Sequence, residues 1–216
     1  MSAWAAEPDH RHMDTTLTRL SYTAGPALLM AYGIIRLLDG LDGTRGPGLA
    51  WTAGHVAFLI GALLLGAACV GLRRLAGPRA GLRGIAADLG LAAGLLGALA
   101  TAVQAAVDVY AGLAAADRAG MGEIFDQVQS YPGVMLAVYT VGPALLFAGP
   151  IVLGGVLAAG SPRLLPVWSP VMMVVGTVLA ATDLDRLPLG AACFWLAFVP
   201  AAAAYRPSRA AIPSSR

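Results

Sequence analysis

The 216-residue sequence has no lysine and little charge of either sign: 14 arginines and 12 carboxylates make up only 12% of the chain. Apolar side chains account for 58%, more than one soluble core of this length can bury, which excludes an ordinary water-soluble globule and makes lipid part of the solvent. Cysteine is scarce. Cys69 and Cys193 fall within separate apolar blocks and read as small packing residues, so no disulfide framework follows. The net charge is only +2 and no basic cluster is interleaved with aromatics, which excludes nucleic acid as a partner. Also missing are a phosphate-cradling loop, a zinc-protease helix, a serine elbow and a haem-type histidine pair, so no cofactor or metal is implied.

What is present is a series of apolar blocks in a chain of mean hydropathy +0.73. A helix needs about 20 apolar residues to cross the hydrocarbon core. Blocks at 18–38, 50–72, 84–112, 133–159, 164–182 and 187–205 predict an all-α integral membrane protein built as a bundle of six transmembrane helices. The last two are interrupted by Pro166, Pro170 and Pro200. Residues 1–17 form a polar N-terminal tail and 206–216 a basic C-terminal one. No apolar stretch ending in a small-residue cleavage site follows the first residues, so the first span is expected to serve as its own insertion signal.

Arginine sets the orientation. Under the six-span reading, Arg11, Arg19, Arg73, Arg74, Arg79, Arg83, Arg163, Arg206, Arg209 and Arg216 lie on one side, and Arg36, Arg45, Arg118 and Arg186 on the other. The positive-inside rule then puts both termini in the cytoplasm of a multi-pass cell-membrane protein. The outer side is acidic, carrying Asp39, Asp42, Asp108, Asp117, Glu123, Asp126, Asp183 and Asp185.

A near-repeat stands out. Tyr22–Met30 (YTAGPALLM) returns as Tyr139–Phe147 (YTVGPALLF), matching at seven of nine positions with an offset of 117 that also maps Trp51 onto Trp168. Three spans per half would give an inverted three-plus-three repeat, an arrangement transporters use around a midplane site. Gly90, Gly94 and Gly97 mark a stripe of the third span that another helix can approach closely. Pro26, Pro143 and Pro150 are expected to kink their helices.

The candidate chemistry lies on the third span. Gln104 and Asp108 are one turn apart on one helical face, and such side chains need protein or water partners because lipid offers none. Asp88 and Asp108 also fall near opposite ends of that span, where interfacial hydration would suffice. His55 has the side chain suited to carrying a proton, or merely makes a polar contact. Trp51 and Tyr139 belong to an aromatic belt, or close with His55 over a cavity that holds Gln104 and Asp108. Asp39 and Asp183 could draw cationic solutes to the outer mouth, or simply pair with Arg36 and Arg186 three residues away.

Three functions fit these readings. One is a membrane-embedded enzyme acting on a lipid or isoprenoid-tailed substrate, with Asp108 as general acid, Gln104 and Tyr139 orienting it, and Trp51, His55, Asp39 and Asp183 on the substrate. In size and helix count the chain is similar to the small membrane-bound terpene cyclases of bacteria, a resemblance of organisation that implies acid catalysis. The others are a small transporter or channel on the inverted repeat, and a non-catalytic membrane component of a homo- or hetero-oligomer.

Overall fold

The computed structural model describes residues 10–205 except 42, 44 and 79, and the side chains from residue 16 onward. Expectations for the Arg11 side chain, Asp42, Arg79, Arg206, Arg209, Arg216 and most of the two tails lie outside the described residues. All six expected apolar blocks are helical, and no strand occurs among the described residues. Helix α1 spans His10–Asp39, α2 Leu49–Ala76 and α3 Leu82–Ala114. A short amphipathic helix, α4 (Arg118–Gln129), precedes a π-helical stretch, Met135–Val141, that runs directly into α5 (Gly142–Ala158). Then come α6 (Trp168–Thr182), a 3-10 turn at Leu184–Arg186, and α7 (Leu187–Ala204).

Among the described residues four helices are long and apolar enough to cross a membrane: α2, α3, the continuous Met135–Ala158 helix, and the Leu184–Ala204 segment that contains α7. Two of the six expected blocks differ. The fifth was expected from 164, but α6 starts at Trp168, after Pro166, and is only 15 residues long. Proline forces its predecessor out of the helical region, and Pro170 is tolerated because it lies in the first turn. The first block becomes α1, which begins within the polar segment assigned to the tail.

Packing makes a closed ring. α1 lies between α7 and α2, α3 between α2 and α5, and α6 between α5 and α7, while α2 also reaches across the ring to α5. The core runs through Tyr22, Leu29, Leu65, Leu72, Leu146, Leu153, Phe194 and Phe198. The halves related by the near-repeat are not packed alike. α2 meets α5, whereas α6 makes no comparable contact with α1. Tyr22 is fully buried against Phe198, with ring centroids 5.4 Å apart, but its counterpart Tyr139 sits half-buried in the π-helical stretch.

The expected glycine stripe is where α3 and α5 meet. A Cβ on Gly149 would stand 2.5 Å from the Gly94 Cα, and one on Gly97 would strike the Leu146 backbone. The π-helical widening precedes Pro143, whose ring has no N–H for the Tyr139 carbonyl four residues back. Gly142 N–H bonds the Ala137 carbonyl instead, and the Thr140 hydroxyl bonds that of Met135 at 3.1 Å.

Gly149→Leu is therefore expected to push α3 and α5 apart and cost about 1–3 kcal/mol, read as a lowered unfolding midpoint in detergent. Gly155→Leu, on the same helix where a Cβ would meet nothing, is expected to leave the midpoint unchanged.

Candidate functional site

At the end of the ring that carries α4, three helices bring polar and aromatic side chains together in the core. Tyr32 and Arg36 are one turn apart on α1, and Trp51, His55 and Phe58 recur at helical spacing on α2. Asp108 comes from the last turns of α3. Gly112, one turn further, leaves room for the Trp51 indole, which a Cβ there would strike. The Trp51 Nε1–H donates to the Asp108 backbone carbonyl at 2.8 Å, joining the start of α2 to the end of α3.

That contact positions the histidine. His55 Nδ1 lies 2.8 Å from the Trp51 carbonyl. A carbonyl only accepts, so Nδ1 carries the ring proton and Nε2 presents its lone pair. Nε2 faces the Tyr32 hydroxyl at 3.5 Å and Asp108 Oδ2 at 3.7 Å. Tyr32, His55 and Asp108 are each less than a tenth exposed, at 7%, 7% and 8%. Aromatic rings hold the imidazole: Trp51 lies over it with centroids 4.2 Å apart, and Tyr32 meets it edge-on at 5.1 Å while stacking on Phe58 at 4.7 Å.

With Nδ1 donating to the carbonyl, Nε2 can accept a proton from the Asp108 carboxyl or the Tyr32 phenol. A carboxylate facing a bare lone pair would be unfavourable, so the His55–Asp108 pair is suited to holding one shared proton. The cleft beside it, lined by Tyr32, Arg36, Asp39, Arg45, Trp51 and His55, has room for about one water, 10 Å³. Above it Phe125 of α4 stands 6.3 Å from Trp51, and Met121 is buried.

At the mouth one of the two expected ion pairs forms, Asp183 with Arg186, and the other does not. Arg36 does not turn to Asp39 on its own helix. It approaches Asp185 at 3.5 Å, and Arg45 reaches the same carboxylate at 3.0 Å, because α1 packs on the Leu184–Arg186 turn. Asp39 lines the cleft. Asp183 is spent on local structure, accepting from the Asp185 N–H at 2.9 Å and lying 4.0 Å from Arg186. Among the described residues no three His, Cys, Asp or Glu gather closely enough to hold a metal ion. An open cleft of about 430 Å³ is lined by Gly40, Gly43, Arg45 and Arg118, so arginine rather than carboxylate dominates its rim.

Of the residues singled out in the sequence, Trp51, His55 and Asp108 converge. Gln104 and Tyr139 were expected to orient Asp108; among the described residues the Gln104 Oε1 and the Tyr139 hydroxyl are buried and make no hydrogen bond to it. Asp108 is held instead by α2. Its side chain is turned into the bundle, away from the hydrated interface that would have made it inexpensive. Asp88 does lie in the open, 2.7 Å from Arg73 at the opposite end. Tyr32 was missed, and its i, i+4 spacing to Arg36, which was expected only as a partner of Asp39, was the available signal. No protein-family model, curated protein or solved structure matches the chain, so the function has to be argued from this geometry.

Trp51→Phe keeps a ring over His55 but deletes the N–H to Asp108. The expected cost is about 1 kcal/mol of stability, checked by chemical denaturation in micelles, where Trp168→Phe, a half-exposed position, should be silent.

Proposed function

We propose that the chain is a six-span membrane protein whose activity runs through proton exchange between Asp108 and His55. Four helices with the length and apolarity of spans support this reading. So does the place of α1 and α6 as full members of the same ring. Arg19, Arg73, Arg74, Arg83 and Arg163 gather at one end and Arg36, Arg45, Arg118 and Arg186 at the other, which favours cytoplasmic termini with α4 outside.

The observation that carries the functional part is the single imidazole nitrogen aimed between a carboxyl and a phenol in a site with room for about one water. Asp108 is the proton donor, His55 the acceptor, and Tyr32 a third oxygen able to join the exchange. Trp51 and Phe58 exclude bulk water, so a proton entering from the mouth is received by groups with few competitors.

A second reading keeps Asp108 as the acid but gives it a lipid or isoprenoid-tailed substrate. Its support is the aromatic cluster of Trp51, Tyr32 and Phe58 at His55, the neighbour of the acid, since aromatic faces stabilise developing cations. That reaction needs a chamber of several hundred Å³, on the scale of about 300–1,000 Å³ for ligand sites, so α4 would have to lift away from Trp51 to admit the substrate.

Infrared difference spectroscopy of the protein in lipid tests the proton site without a known substrate. Acidification is expected to raise a protonated-carboxyl band that vanishes in Asp108→Asn, and His55→Gln should move its titration midpoint. A band that survives intact in Asp108→Asn would remove the site and leave a non-catalytic membrane component as the better account.

A further inference from the structure

Three buried polar atoms near this site make no hydrogen bond of ordinary geometry among the described residues: Thr101 Oγ1, Gln104 Oε1 and the Tyr139 hydroxyl, the last with the Gln129 side chain as a neighbour. Their arrangement is ordered. Thr101, Gln104 and Asp108 follow one another at i, i+3 and i+7 along one face of α3. Tyr139 belongs to the π-helical stretch that packs on α3, and the antiparallel register that sets Gly142 against Ala100 brings Tyr139 to the level of Gln104. Thr101 is wholly buried, and a helical threonine ordinarily returns its hydroxyl to a carbonyl one turn back. Here the hydroxyl is unpartnered.

Buried groups of this kind are satisfied by internal water, which needs two or more polar partners at each position. We infer that Asp108, Gln104, Tyr139 and Thr101 hold a short file of water that extends the proton site from the outer mouth to the middle of the bilayer, making a proton-conducting half-channel. The clause that makes the occupant a proton rests on the acid–base reading above; the presence of water does not. The file spans seven residues of α3, about 10 Å at 1.5 Å per residue, and Thr101 lies close to the midpoint of Leu82–Ala114.

Titratable groups face Asp108 from each neighbouring element near it: Tyr32 from α1, His55 from α2 and Tyr139 from the π-helical stretch, while the Arg36 guanidinium one turn from Tyr32 is paired with Asp185. One turn below Thr101 the path closes. Gly97 is packed on Leu146 and Ala98 on Gly66, with Leu65 and Leu153 fully buried beyond. The half-channel therefore admits protons from the α4 end only, as a coupled carrier or a proton-sensing protein requires, and does not leak.

Single cysteines test this in a Cys69→Ala, Cys193→Ala chain reconstituted in liposomes, with silver ion, which follows narrow water files, as the thiol probe. Silver added from the α4 side is expected to block maleimide labelling, carried out afterwards on the denatured chain, of Ala50→Cys at the cleft, Gln104→Cys and Thr101→Cys, and to leave Ala98→Cys fully labelled. Reaction at residue 50 alone, or ending at 104, overturns the path to the midplane, and reaction at 98 overturns its closure. Should the variants not fold, water-edited solid-state NMR of the unmutated protein in bilayers detects the file directly: magnetisation transfer from water to the Thr101 and Gln104 side chains is expected, and its absence at Thr101 overturns the path. Loss of the carboxyl band's dependence on Asp108 would refute the proton site while leaving these water contacts in place, so the two failures can be told apart.

Discussion

One hydrogen bond organises the site: the Trp51 indole N–H to the backbone carbonyl of Asp108. It fixes where the start of α2 meets the end of α3, and the carbonyl of the same tryptophan, one turn from His55, takes the imidazole Nδ1–H. Trp51 is thus tied at both ends, the side chain to α3 and the backbone to its own helix. The consequence is a histidine with one orientation and one free nitrogen. The proton chemistry follows from that nitrogen facing Asp108 and Tyr32 rather than lipid.

The rest of the fold serves to bring these groups close without admitting a large volume of water. Glycines at 94, 97 and 149 let α3 and α5 approach backbone to backbone, and Gly176 and Gly190 do the same for α6 and α7, where a Cβ on either would meet the other's carbonyl oxygen at 2.6 Å. Such contacts replace the hydrophobic driving force that helices lack in lipid. Tight packing below Thr101 and a polar face above it divide α3 into a dry half and a half that carries Gln104 and Asp108. The division follows from where side chains with hydrogen-bonding needs are placed along a single helix.

Much of this was legible in the sequence. Long apolar blocks specify helices whatever their neighbours, so α2, α3 and the helix ending at Ala158 were expected close to their observed limits. Gly90, Gly94 and Gly97 announced a close contact because few other roles suit three small residues on one stripe. That Trp51, His55 and Asp108 lie near one another was one of two readings, beside an aromatic belt and an interfacial carboxylate, and it followed from the need of a polar residue in an apolar block for a partner inside. What escaped was identity of partner. Arg36 had a carboxylate three residues away at Asp39 yet took Asp185, 149 positions along the chain, a choice set by how α1 packs on the 3-10 turn. Gln104 and Tyr139 were expected to orient Asp108, the first because helical spacing puts it on the same face and the second as an aromatic near a span end. Spacing fixes a face, however, and not the reach of a side chain. The near-repeat was misleading in the same way: similar sequence at Tyr22 and Tyr139 sits in a buried core in one case and in a π-helical stretch in the other.

The central claim is a statement about one ring, and nitrogen-15 solid-state NMR of His55 in lipid tests it most directly. The account predicts a neutral imidazole protonated at Nδ1, with Nε2 as the nitrogen that responds when Asp108 is replaced by Asn. A ring protonated at Nε2, or one indifferent to residue 108, would contradict it.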